Sequence, residues 1–188
     1  HKNEKTGRND GKWGITQDKY GKPWLVNAGG ERVPVNYQFP ILYGGSNFKN
    51  QQESDFKSVY PICDIPDVQG GPRRLKPLEG SKPISSGKVL NHFTATCGQD
   101  IYRGDRLPKE LYGNLFFGEP VGRFIRRAKV DVNDGVTYLS NAHPKSEFIR
   151  SSDPNFRPIN MVTAPDGTLY IVDMYRGIIQ ESNWTKPG

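Results

Sequence analysis

The sequence predicts an all-β chain organised as β-propeller blades, and three observations carry that expectation. Its 188 residues hold 21 Gly and 15 Pro around short runs supplied by 9 Tyr, 9 Phe and 3 Trp, a balance of strands and tight turns that argues against a helical bundle. One frame of residues recurs three times along the chain. The distances between its copies suit units of about 45 to 55 residues, the length of a propeller blade.

The first copy is Gly21-Lys22-Pro23-Trp24-Leu25-Val26-Asn27, the second Gly113-Asn114-Leu115-Phe116-Phe117-Gly118-Glu119, the third Gly167-Thr168-Leu169-Tyr170-Ile171-Val172-Asp173. Each glycine is followed at the third position by an aromatic and at the sixth by an acid or amide. A β-branched residue follows at the twelfth: Val33, Ile125 and Ile179. Asp18 and Asp166 lead into two of the glycines, so each unit reads as strand, Asp/Gly turn, aromatic strand, turn, strand. Trp24, Phe116 and Tyr170 are expected at equivalent buried sites in different four-stranded sheets. Recurrence at the sixth position predicts a structural hydrogen bond for Asn27, Glu119 and Asp173 rather than catalysis.

Residues 1–188 then form one propeller segment of about four blades, one of them degenerate and lying between the first two copies. The ring is expected to be incomplete and to expose unpaired sheet faces. The start at His1, without Met, predicts a processed or partial chain. Residues 64–88, with Pro66, Gly70-Gly71-Pro72, Pro77, Gly80, Pro83 and Gly87, read as a loop. Val132-Asn133-Asp134-Gly135 reads as a hairpin turn, because Asn and Asp before Gly tolerate positive φ, and it lacks the bidentate Glu of a calcium loop.

With 26 basic and 20 acidic residues the chain carries a net charge of +6, which favours an acidic partner without naming one. The densest cluster, Arg123, Arg126, Arg127 and Lys129, is expected to guard an exposed strand edge. No aromatic-interleaved RNA motif accompanies it, so nucleic acid is not an expected partner. No run approaches the roughly eighteen apolar residues of a bilayer span. Cys63 and Cys97 have neither zinc nor haem spacing, which leaves two buried thiols or one disulfide, the latter requiring an oxidising compartment. Asn183-Trp184-Thr185 matches a glycosylation triplet of a kind common by chance.

At Tyr102-Arg103-Gly104-Asp105-Arg106-Leu107-Pro108 and Leu111-Tyr112-Gly113-Asn114-Leu115-Phe116-Phe117 the sequence resembles the glucose/sorbosone and aldose sugar dehydrogenases, six-bladed propellers that use pyrroloquinoline quinone. The likeness continues through Gly122-Arg123-Phe124-Ile125-Arg126 and from Phe156 to Asp173. Asn9-Asp10-Gly11-Lys12-Trp13-Gly14, Ile65-Pro66-Asp67-Val68-Gln69-Gly70-Gly71-Pro72 and the stretch from Ile171 to Gln180 look closer still to large membrane-bound dehydrogenase-type proteins of planctomycete-type bacteria. In those, such a propeller often precedes helical repeats and a cytochrome c-like domain.

The resemblance implies an extracytoplasmic, periplasmic sugar or polyol dehydrogenase-like propeller that passes hydride from a small polyhydroxylated substrate to a quinone or other acceptor. The partners it implies are the remaining blades and a cytochrome c-type electron acceptor. The alternative is a non-catalytic propeller that binds carbohydrate or a protein partner within a redox assembly. Carried over by position, the family's general-base His falls at Arg8, its cofactor Lys at or near Pro120, and its Arg-x-Arg pair at Arg157 and Ile159. These departures predict weak or no binding of the quinone.

In a propeller the innermost strand of each blade lines a channel. The candidate inner strands run from Asp10 to Gln17, Phe93 to Tyr102 and Phe156 to Thr163. Their upstream ends gather Arg8, Asp10 and Lys12; Asn91 and His92; and Asp153, Asn155 and Arg157. His92 and Asp10 are the candidate catalytic pair, His92 because an imidazole can take a hydroxyl proton as hydride leaves. Arg157, Arg8 and Asn155 are the candidate cofactor-binding residues, Arg157 because Pro158 holds its backbone extended and aims its side chain. No metal set is expected.

Overall fold

The computed structural model describes residues 12–27, 52–62, 93, 95–134 and 136–177. Among them nine strands form three antiparallel sheets, and the one helical piece is a 3₁₀ turn at Lys109–Leu111. The chain is all-β, as its composition predicts. β1 (Lys12–Gln17) pairs with β2 (Pro23–Asn27), and β8 (Pro158–Thr163) pairs with β9 (Leu169–Asp173). Between them in the chain, β3 (Cys97–Ile101), β4 (Leu115–Glu119), β5 (Phe124–Asn133) and β6 (Val136–Asn141) make a meander. β7 (Ile149–Arg150) pairs with Phe124 and Ile125 of β5, so β6 and β7 share the outermost place of a sheet four strands wide.

The three copies of the sequence frame become β2, β4 and β9, the second strand of each sheet. Gly21, Gly113 and Gly167 precede them with φ of 76°, 76° and 84°, a conformation that L side chains resist and glycine adopts freely. The cross-strand partners also correspond: Trp24 faces Thr16, Phe116 faces Asp100, and Tyr170 faces Val162. Each first strand begins with a register irregularity, which gives the three units one shared bend near their entrance.

β3 packs between β1 and β8, so the first strands of the three sheets lie side by side. Gly98 makes this possible. A Cβ there would run into the backbone of Ile159 and Asn160, and its own backbone crowds the place a Cβ would take on Gly14. Gly14, Gly98 and Asn160 each lie two residues before the position that faces the repeat aromatic, so equivalent points of the three strands meet.

Strand alternation divides the interior in two. Trp24, Phe56, Phe93, Leu115, Phe117 and Phe124 belong to the core between the first sheet and the meander. Tyr102, Leu111, Phe116, Ile125 and Met161 fill the core between the meander and β8–β9. β4 is therefore buried on both faces, and each of its large side chains removed from water contributes about 1.5 to 3 kcal/mol. Trp24 (2% exposed) and Phe116 (0%) occupy the buried sites expected of them, but Tyr170 is 58% exposed. It keeps the expected backbone place without the burial, because the sheet-facing side of β9 is carried by Leu169 and Ile171.

The basic cluster corrects a second expectation. Arg123, Arg126 and Arg127 are buried, and only Lys129 is exposed. β5 is not an edge: β4 lies on one side and β6 and β7 on the other. Arg126 donates from Nε to Glu147 Oε2 at 2.5 Å, forms a second bond with Glu147 Oε1, and donates to the carbonyls of Phe56 and Ser58 at 2.6 and 2.8 Å. Its guanidinium also lies over the rings of Phe56 and Phe93. The hairpin turn forms where expected, with Asp134 at φ 50° and Asn133 facing Val136. The loop at 64–88, Val33, Ile179 and the Asn183 triplet lie outside the described residues, and of the stretch expected to hold the degenerate unit, residues 28–51 and 63–92 do as well.

Candidate functional site

Where the first strands meet, Asp100 joins all three. Its Oδ1 accepts from Thr16 Oγ1 of β1 at 2.8 Å, while Oδ2 accepts from the backbone N–H and the hydroxyl of Thr163 of β8 at 2.7 and 2.6 Å. Beside it, Gln99 Nε2 donates to the carbonyl of Trp24 at 2.9 Å, and Gln99 Oε1 has no hydrogen-bond partner among the described residues. Buried polar groups arranged this way fix the mutual register of the strands.

Upstream of these strands stand the sequence-predicted site residues. His92, Asp10 and Arg8 lie outside the described residues. Arg157 is fully buried and its donors face carbonyl oxygens. Nε bonds Arg176 O at 2.9 Å, Nη1 bonds Pro120 O at 2.8 Å, and Nη2 bonds Gly177 O. The guanidinium thus ties the turn after β4 to the segment after β9. Asn155 holds the same segment: its carbonyl accepts from Arg176 N at 3.0 Å, and its own N–H donates to Asp153 Oδ1 at 2.8 Å. The structure brings Arg157 and Asn155 together, but around backbone.

The sixth-position acids do the same work in two units. Glu119 accepts from Ala95 N at 2.6 Å and from Gly122 N; Asp173 Oδ1 accepts from Arg157 N at 2.7 Å and Tyr175 N at 2.9 Å. Each carboxylate pins the residue leading into the first strand and the turn leaving the second. The Tyr102–Leu107 loop clamps the next unit. Tyr102 Oη donates to Gly167 O at 2.5 Å and accepts from Leu107 N at 3.0 Å, and Arg106 N donates to Gly167 O at 3.1 Å.

Pyrroloquinoline quinone, a tricarboxylate, needs cations or free N–H groups turned toward it. At the positions the resemblance assigns, the described residues do not fit it. Arg157 is committed to carbonyls, Pro120 offers only a carbonyl, and Ile159 is apolar. Among the described residues no group of His, Cys, Asp and Glu is arranged to hold a metal ion.

Cys63 lies outside the described residues, and Cys97 is a free, buried thiol whose Sγ lies 3.7 Å from Pro158 O. Burial, reinforced by the charge of Glu119, pushes its pKa up to about 12, which leaves it protonated and unreactive. Burial also holds the Glu147 carboxyl above the usual range against the pull of Arg126. His143 is depressed by burial and then by Arg127, Arg126 and Lys129. It is neutral near pH 7.

One feature absent from the sequence reading is a cleft between the β1–β2 turn and the meander, with a volume of about 480 Å³. Trp24, Ile101 and Val130 line its apolar side, and Tyr20 and Tyr112 stand beside it with exposed rings. Lys22 and Arg103 supply cations. The pairing of a turn lysine with an arginine about eighty residues away has no local signature. Asp100 lies within the candidate inner strand from Phe93 to Tyr102, but the sequence reading did not single it out.

Together these sheets and junctions define an all-β chain of repeated units joined by buried polar contacts. A family model described as a domain of unknown function, DUF7133, matches residues 1–188, and the chain belongs to that family. Comparison with curated proteins and with solved structures returns no match.

Proposed function

We propose that the chain is part of a six-bladed β-propeller that acts as an extracytoplasmic binding module, taking carbohydrate or a protein partner within a redox assembly, and that it does not hold a quinone through Arg157. The observation that carries this reading is the state of Arg157. The cation that the sugar dehydrogenase resemblance assigns to the cofactor is buried and bonded to carbonyls of two units. The propeller itself is supported by the three equivalent units, whose first strands pack side by side. The exposed face of Val162, Tyr170 and Val172 suits the docking of a further blade.

Calorimetric titration of the full protein with pyrroloquinoline quinone is expected to show no binding, and aldoses are expected to reduce no added dye. Sub-micromolar quinone binding or aldose oxidation would restore the enzyme reading.

A further inference from the structure

The cleft between the β1–β2 turn and the meander has a chemistry that the binding-module reading does not assign. Its volume of about 480 Å³ falls within the range of small-molecule sites, roughly 300 to 1,000 Å³. Apolar side chains make one wall: Trp24, Ile101, Val130 and Val132. Tyr20 and Tyr112 are 82% and 48% exposed, so their rings are open to a flat ligand.

The charge at the cleft is unbalanced. Among the described residues Asp18 is its single carboxylate, and that carboxylate is spent within the turn. Oδ1 accepts from Tyr20 N at 2.9 Å and Lys22 N at 3.0 Å, and Oδ2 accepts from Trp24 Nε1 at 3.3 Å. Lys19 lies over one face of the Tyr20 ring, 4.9 Å from its centroid. Asn114 is likewise engaged, accepting from Arg127 Nε at 2.8 Å. The Lys22 ammonium and the Arg103 guanidinium remain, and among the described residues neither is bonded to a carboxylate. Two cations beside an apolar wall with exposed tyrosine rings match a ligand that has one flat, weakly polar body and one negative group.

We infer that this cleft binds a small ring-bearing carboxylate, its ring against Tyr20 and Tyr112 and its carboxylate on Lys22 and Arg103. Two ring types share this chemistry, an acidic sugar and an aryl carboxylate. The site is distinct from the entrance of the first strands where Arg157 sits, and its test is independent of the quinone.

The full protein is titrated calorimetrically with glucuronate and with benzoate, and with glucose and benzyl alcohol as uncharged counterparts. At least one carboxylate is expected to bind while its counterpart does not, and the one that binds identifies the ring. Lys22→Gln and Arg103→Gln are each expected to weaken binding about threefold to tenfold, as loss of a partly exposed charge does. Both side chains reach solvent, so these variants fold, which an unchanged thermal midpoint verifies. Binding of neither carboxylate, equal binding of the uncharged counterpart, or indifference to both substitutions overturns the inference.

Discussion

Phe116 and Tyr170 occupy the same place in two copies of one frame, three residues after a positive-φ glycine and opposite the same position of the first strand. Phe116 is sealed in the core between the meander and β8–β9, and Tyr170 faces outward. The backbone path is fixed by local chemistry, the glycine and the acid at the sixth position. Burial is decided by what lies on either side. β4 has β3 and β5 beside it and a core against each face, whereas β9 has β8 alone beside it among the described strands and a core only on the face of Leu169 and Ile171.

The sharpest break of this comparison is truncation of both aromatics. Phe116→Ala is expected to cost about 3 to 5 kcal/mol and Tyr170→Ala less than about 1 kcal/mol, measured by urea unfolding of each variant. Equal losses would mean that Tyr170 is covered in solution. A second contrast sets the meander's ion pair against its surroundings. Glu147→Gln leaves the Arg126 charge buried without its counter-ion and is expected to cost about 3 kcal/mol. Arg126→Met combined with Glu147→Leu should recover only part of that loss, because the carbonyls of Phe56 and Ser58 and the N–H of Tyr60 lose their partners, and full recovery would show that those groups find water instead.

Smaller effects test the sixth-position acids. Asp173→Ala removes acceptors for two backbone N–H groups and is expected to cost about 1 to 2 kcal/mol, with faster hydrogen exchange at Arg157 and Tyr175. The larger loss belongs to Glu119→Ala, because Glu119 is fully buried. Slow exchange at Arg157 in the Asp173 variant would refute the equivalence of the two acids.

The smallest effect is that of His143. Its folded pKa lies below the ordinary 6.5, so its neutral form is the one folding favours. The stability this supplies is complete above pH 6.5 and is lost as pH falls from 6.5 through the folded value, because the unfolded chain takes up the proton first. The urea midpoint of the protein minus that of His143→Gln should therefore shrink between pH 7.5 and about pH 5. A constant difference would show that His143 does not titrate differently on folding.

What could be read from the chain and what could not divide along the same line. Gly21, Gly113, Gly167 and the Asp134 turn were legible because positive φ is a local demand that few residue types meet. The ends of two first strands, Gln17 and Thr163, were legible from the turn residues that follow them. The fate of the arginines was not. A run of cations reads as a solvated edge unless Glu147 and the carbonyls of Phe56 and Ser58 are known to converge on Arg126. Arg157 posed the same difficulty. Its carbonyl partners come from Pro120, Arg176 and Gly177, which no spacing rule connects.

The clasp between Tyr102 and Gly167 bears on where this polypeptide can be reopened or spliced. Units that are consecutive in sequence are stapled to each other at their turns, since Tyr102 reaches forward to the β8–β9 hairpin and Arg157 reaches back to the turn after β4. A cut placed at the apparent seam between repeats would sever both staples' supporting backbone, so single units excised there make poor building blocks. The tip between Asn133 and Val136 carries exposed side chains and belongs to neither staple, which makes it the place to graft a tag, insert a guest domain or relocate the termini.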